Sequence, residues 1–127
     1  VRTQGKPLPY WAWPVGVALF ATGLGVSAWA MAANPFFEGT VRLQPGQKVV
    51  DSGPYRFVRH PGYVGLILLS LAMPLLLLSV WAFVPAVIAG AWVVVRTALE
   101  DAMLRRELPG YAQYATRVGH RLVPGLW

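Results

Sequence analysis

At 127 residues the chain is long enough for one domain. With 56% hydrophobic and 13% charged residues, and a mean hydropathy of +0.49, it is too apolar for an ordinary soluble one. The net charge of +6 does not indicate nucleic acid, because the basic residues flank apolar stretches instead of forming a stripe among polar ones, and an anionic membrane surface is the better partner. Cysteine is absent, which excludes a disulfide framework and a thiolate nucleophile or metal site.

The chain begins at Val1, not Met, so further N-terminal sequence is expected; no secretory signal is visible, since the first apolar run is too long for one. Val1 to Tyr10 reads as a polar loop with Arg2, Lys6, Pro7 and Pro9. Trp11 to Ala33 has no charged residue, and at 1.5 Å per residue it reaches across a hydrocarbon core of about 30 Å. Trp11, Trp13 and Trp29 lie near its ends, as interfacial aromatics do. Gly16, Gly23, Gly25, Ser27 and Ala28 are read as ordinary membrane-helix composition, not as a dedicated dimer motif. Asn34-Pro35 ends the helix.

A long connection follows, taken as residues 39–62 for the part with binding character. It holds a turn at Pro45-Gly46, an extended Gln47-Lys48-Val49-Val50, and a second turn at Asp51-Ser52-Gly53-Pro54. Its Val, Tyr, Phe and His content argues against disorder, and a connection this long is usually functional. Gly53 to Gly65 concentrates two Arg, a His, two Tyr and helix-breaking Gly and Pro between apolar segments. This predicts irregular backbone at a membrane surface or lining a polar cavity, feeding a helix with Pro61 in its first turn.

Tyr63 to Val95 is too long for one crossing. It divides near Ser79-Val80-Trp81 into a hairpin with spans of 63–79 and 81–97, in which Pro74 and Pro85 are expected to introduce kinks. The second helix runs on to about Glu107, Leu108-Pro109-Gly110 breaks it, and Tyr111 to Val118 forms a short amphipathic helix. The expected architecture is therefore an all-α, multi-pass integral membrane protein in one domain, 1–127. It comprises one transmembrane helix (11–33), a binding connection, a helical hairpin, and a tail (98–127) with a short interfacial helix and Trp127 as anchor. Arg42, Lys48, Arg56 and Arg59 in the connection lie on the same side as Arg96, Arg105, Arg106, Arg117 and Arg121. The positive-inside rule puts that side in the cytoplasm.

A second polar constellation is Arg96-Thr97-Ala98-Leu99-Glu100-Asp101. Alone, Arg96 and Glu100 fit a snorkelling arginine and an i,i+4 pair worth a few tenths of a kcal/mol. The hairpin, however, returns them to the level of His60 and Tyr63. Arg59-His60-Pro61-Gly62-Tyr63-Val64-Gly65, followed by Arg96, Glu100-Asp101, Leu104 and Gly110-Tyr111-Ala112-Gln113-Tyr114, resembles the signature of integral-membrane methyltransferases. These are the isoprenylcysteine carboxyl methyltransferases and the related phospholipid methyltransferases. The likeness covers about Gly39 to Trp127. It departs from the family pattern at Asp101, where a second Glu is usual, and in a tail about one residue shorter.

The resemblance implies S-adenosylmethionine as cofactor, cradled by Gln47, Lys48, Val49, Val50, Tyr55, His60, Pro61, Gly62 and Tyr63, with Glu100 also on the cofactor and Arg96 on the substrate. It implies a small lipophilic acceptor and a membrane-lipid environment. Arg59 is expected at a lipid headgroup or the cofactor carboxylate, and His120, remote from both motifs, at the interface. Pro74, Pro85 and the Gly-rich helices are expected to leave a lipid-side opening near Gly65 and Ala98. No metal site is expected. Some membrane sterol and steroid reductases that use NADPH share the Arg-His-Pro-x-Tyr stretch, usually with Asn where this chain has Gly62; a non-catalytic membrane scaffold is the third reading.

Overall fold

The computed structural model describes residues 7–37 and 42–127. The expected polar loop at Val1–Lys6, with Arg2 and Lys6, and the start of the connection at Gly39–Val41 lie outside the described residues. Four α-helices are present among them, and no strand. They are α1 (Ala12–Ala33), α2 (Pro61–Leu76), α3 (Phe83–Glu107) and α4 (Tyr111–Arg117).

α1 and α3 are long and apolar enough to cross a membrane; α2 is apolar but has only 16 residues. At 1.5 Å per residue α2 reaches roughly 24 Å, short of the hydrocarbon thickness. α1 stops because Asn34 precedes a proline and is held extended, at ψ 104°. Its side-chain oxygen accepts the Phe36 N–H at 2.9 Å, which closes the turn.

α1 and α2 meet backbone to backbone. A Cβ added at Gly23 would lie 3.0 Å from the Gly65 carbonyl, one at Gly16 would lie 2.9 Å from the Leu75 Cβ, and one at Gly65 would collide with the Ser27 hydroxyl. Gly16, Gly23 and Ser27 therefore serve a seam within the chain, whereas Gly25 and Ala28 face outward. Gly65 faces α1, which corrects the expectation of a lipid-side opening there. Pro74 lies inside α2, in its last turn, where it removes the N–H that would donate to the Ser70 carbonyl, whereas Pro85 lies in the first turn of α3, where the missing N–H has no intrahelical partner to lose.

The turn between α2 and α3 covers the predicted split, and Leu78 adopts a left-handed φ of 50°. The Leu8 N–H donates to the Leu78 carbonyl at 3.0 Å, tying the described N-terminal end to this turn. α3 buries only Ala86, Val93, Thr97, Asp101 and Leu104, a seam repeating at steps of seven, four, four and three residues. Val84, Val87, Ile88, Trp92 and Leu99 stay exposed around it. From Phe83 to Val95 the helix is apolar all round, which suits lipid and not water.

The cluster that excludes solvent lies at one end of the helices. Ala30 of α1, Tyr55 of the connection, Leu104 and Leu108 at the end of α3, and Tyr111 and Tyr114 of α4 pack together there. Gly110, at φ 86°, supplies the left-handed residue that lets α4 fold back onto this end.

Candidate active site

The connection is built from turns that fix its side chains. Gly46 at φ 72° closes the first turn, the Gln47 N–H donates to the Gln44 carbonyl, and the Gln47 side-chain oxygen accepts the Gln44 N–H at 2.9 Å. Gln44 in turn donates its side-chain amide to the Phe36 carbonyl at 2.7 Å, which anchors the turn to the end of α1. A single 3-10 turn follows at Gly53–Arg56 and buries Tyr55. The Tyr55 hydroxyl accepts from the Asn34 amide at 3.0 Å, and its carbonyl accepts the Tyr114 hydroxyl at 2.6 Å. Tyr55 is thus held at both ends, by α1 and by α4.

These elements enclose a cleft of about 620 Å³, counting its open mouth. Asn34, Phe36 and Phe37 form one wall, and Gln47 to Val50 with Tyr55 form another. His60, Gly62 and Tyr63 enter from the start of α2, Glu100 and Leu104 from α3, and Tyr111 and Tyr114 from α4. A Cβ at Gly62 would strike the Phe37 ring, so the bare glycine leaves space at the cleft wall. Every residue expected in the cradle lines this cleft except Pro61, which is buried as the first residue of α2.

Arg96 is also outside the lining. Its guanidinium lies over the Tyr63 ring, 5.8 Å from the centroid. The Tyr63 hydroxyl donates to the Glu100 carboxylate, and the His60 ring stacks on Tyr63 at 5.9 Å. Tyr63 therefore touches all three of the other polar side chains expected to act.

The residue that sequence reasoning passed over is Asp101. It is 1% exposed and ion-pairs with Arg59 through two parallel contacts of 2.8 and 2.9 Å. His60 Nε2 lies 3.0 Å from its carboxylate, and the Tyr111 hydroxyl donates to it at 2.8 Å. Arg105 and Arg121 each reach the outer oxygen at 3.2 Å. A buried carboxylate is tolerable only with such compensation. Arg59 is 3% exposed and paired with Asp101, which corrects its expected place at a lipid headgroup, but it also lines the cleft. Burial works against the Arg59 charge, but the hydrogen bonds and charge of Asp101 outweigh it and raise its pKa. Burial, reinforced by the Asp101 charge, pushes the Tyr111 phenol up, so Tyr111 remains a donor.

His120 is likewise not remote from the motifs. Its carbonyl accepts the Arg59 N–H at 2.8 Å, and the Arg121 carbonyl accepts the His60 N–H at 3.0 Å. The His120 ring accepts the Gly125 N–H. The tail thus pairs with the backbone of the Arg-His motif. Asp101 was findable: it falls on the heptad-like seam of Val93, Thr97 and Leu104, whereas Glu100, about 100° around the helix, faces the cleft.

Among the described residues the chain is all-helical, with two helices long and apolar enough to cross a membrane and a cleft where they end, an arrangement that fits a membrane-embedded protein. The family model for the isoprenylcysteine carboxyl methyltransferase family matches residues 15–106, most of the chain and both polar constellations. The chain belongs to this family of membrane methyltransferases. The match gives no support to the reductase reading. A comparison with curated proteins returns no match.

Proposed function

We propose that the protein is an S-adenosylmethionine-dependent methyltransferase acting on a small lipophilic acceptor, an isoprenylcysteine-like carboxylate or a lipid headgroup. The observation that carries this reading is the convergence of Glu100, Tyr63, Gly62, Tyr55 and the Gln47–Val50 run on one cleft. The residues suit such a cofactor: a carboxylate for its ammonium, aromatic faces for its cationic centre, and an apolar wall for its adenine. When bound, the cofactor supplies an electrophilic methyl carbon, so the protein contributes position and charge.

In this reading the extended backbone of Lys48 to Val50 meets the adenine edge or the ribose. Tyr55 and Tyr63 offer π faces to positive charge. Glu100, oriented by the Tyr63 hydroxyl, takes the ammonium. His60 is held by Asp101 and orders the loop at the cleft wall. Arg96 offers a planar fork to the acceptor carboxylate beside the cleft. Such a carboxylate, with a pKa near 4, is ionised at neutral pH and needs no general base. An amine acceptor would instead require one, and Glu100 is the nearest candidate. α1 and α3 cross the membrane with α2 packed on α1, and the cleft and tail face the cytoplasm.

Transfer of a tritiated methyl group to farnesyl-cysteine and to phosphatidylethanolamine, by protein in lipid nanodiscs, tests the activity and ranks the acceptors. Arg96→Ala is expected to abolish transfer to a carboxylate while leaving cofactor binding intact. Unchanged transfer would remove Arg96 from the site. The chain has no cysteine, so a single cysteine at Gly119 reports sidedness. Labelling from the periplasmic or lumenal side would contradict the orientation.

A further inference from the structure

We propose that Arg105 and Arg121 form a phosphate-binding site for an anionic phospholipid headgroup on the outer side of the Asp101 cluster. Three guanidiniums meet one carboxylate there. Arg59 is buried and paired through two nitrogens, and it cancels the Asp101 charge. Arg105 and Arg121 each give only Nε, to the same Oδ2 at 3.2 Å, so these two nitrogens lie within twice that distance of each other. Their side chains are 45% and 31% exposed, and their terminal nitrogens donate no further hydrogen bond among the described residues. Two adjacent guanidinium forks and one shared carboxylate leave excess positive charge. An anion with several acceptor oxygens relieves it, and a phosphate suits the fork geometry.

The surroundings favour a lipid as the source. Arg105 is in the last turn of α3, beyond the apolar run that ends at Val95. The Arg121 guanidinium stacks over the Trp127 ring at 4.9 Å, and Leu126 is 80% exposed beside it. A cation–aromatic pair with a bare apolar residue, on the side to which the spanning helix leads, has the composition of a membrane-interface anchor. The site also has a route to the cleft: the carboxylate that Arg105 and Arg121 touch holds His60 and Tyr111, which line it. Headgroup binding therefore pulls the tail onto α3 and favours the arrangement of His60 that the cofactor meets. By linkage the cofactor must strengthen lipid binding by the same factor. The inference rests on α3 spanning the membrane, as proposed above.

The test is native mass spectrometry of the full chain released from nanodiscs of phosphatidylcholine with and without phosphatidylglycerol. One tightly held phosphatidylglycerol is expected, with retention weakened about tenfold or more in Arg105→Gln/Arg121→Gln, a loss of one or more charge-assisted contacts. Arg106→Gln and Arg56→Gln are expected to keep it. Should the double variant not fold, Arg121→Lys retains the charge without the fork and is expected to give an intermediate loss. Equal loss from any arginine would reduce the site to diffuse surface charge and overturn the proposal, as would full retention by the double variant. Displacement by inorganic phosphate would assign the site to a soluble phosphate and overturn the lipid claim. Carbonate extraction of the chain from vesicles is the separate check on spanning: release there sinks the membrane reading, whatever the lipid count.

Discussion

Gly23 of α1 rests against the carbonyl of Gly65 in α2, a contact with no charge and almost no side chain. At the N-terminal end of the same α2, His60 lies on a buried aspartate that also holds two arginine side chains through Nε, a tyrosine and the Arg59 fork. The first region works by shape: small residues let the helices approach, and dispersion does the rest. The second works by charge compensation, and each partner is there because the others would be costly without it. The difference locates function. The seam needs only lipid around it, whereas the polar end carries its own solvent-excluding cluster around a cleft.

The largest expected effect comes from opening the charged region. Asp101→Ala strands the buried Arg59 guanidinium and is expected to cost about 3–5 kcal/mol, measured as thermal unfolding in detergent. Asp101→Glu, the residue usual in the family, is expected to recover part of this. If Asp101→Ala unfolds like wild type, Arg59 is not held as described.

The next effect separates cleft from scaffold. Glu100→Gln is expected to weaken cofactor binding roughly 10- to 100-fold, the equivalent of one charge-assisted hydrogen bond of about 1.5–3 kcal/mol. The unfolding midpoint should move little, because Glu100 is half-buried at the cleft wall. Gly65→Val should do the reverse: overpacking against Ser27 and Gly23 is expected to cost about 1–3 kcal/mol of stability with cofactor affinity kept. Were both variants to lose affinity and stability in proportion, the two regions would be one.

A smaller effect reads the tyrosines. Burial raises the pKa of Tyr55, Tyr111 and Tyr114 above the ordinary 10.0. Below pH 10 the folded and unfolded chains both keep these protons, so the tyrosines add no slope. Above about pH 10 the unfolded chain releases protons that the folded one retains, so stability falls as pH rises. Tyr111→Phe should flatten that fall in a pH series of unfolding midpoints. The smallest effect belongs to Arg117→Gln, which breaks an exposed 3.6 Å pair with Asp51 and is expected to cost less than about 1 kcal/mol.

The helices were legible because hydropathy and breakers mark them. Asn34-Pro35 ends α1, the stretch around Ser79 turns the hairpin, and Gly110 starts the fold-back of α4. The cleft residues of the connection were legible only through motif resemblance, since nothing in the run Gln47-Lys48-Val49-Val50 by itself predicts which wall it forms. The seam position of Asp101 was legible, but its partners, and the roles of Arg59 and His120, were hidden for a physical reason. Whether an arginine meets lipid, ligand or a buried carboxylate depends on contacts between segments some 40 and 60 residues apart, and local pattern does not encode these. Pro85 gives no kink signal because it sits in the first turn of α3, where no intrahelical bond is lost, whereas Pro74 lies inside α2.

Calorimetric binding of S-adenosylhomocysteine, the demethylated cofactor, to detergent-purified protein with Glu100→Ala alongside tests the cofactor cleft most directly. Micromolar binding by the wild type, lost in a variant that unfolds at the same temperature, is the predicted result. A folded wild-type chain that binds neither this ligand nor S-adenosylmethionine would contradict the assignment of the cleft.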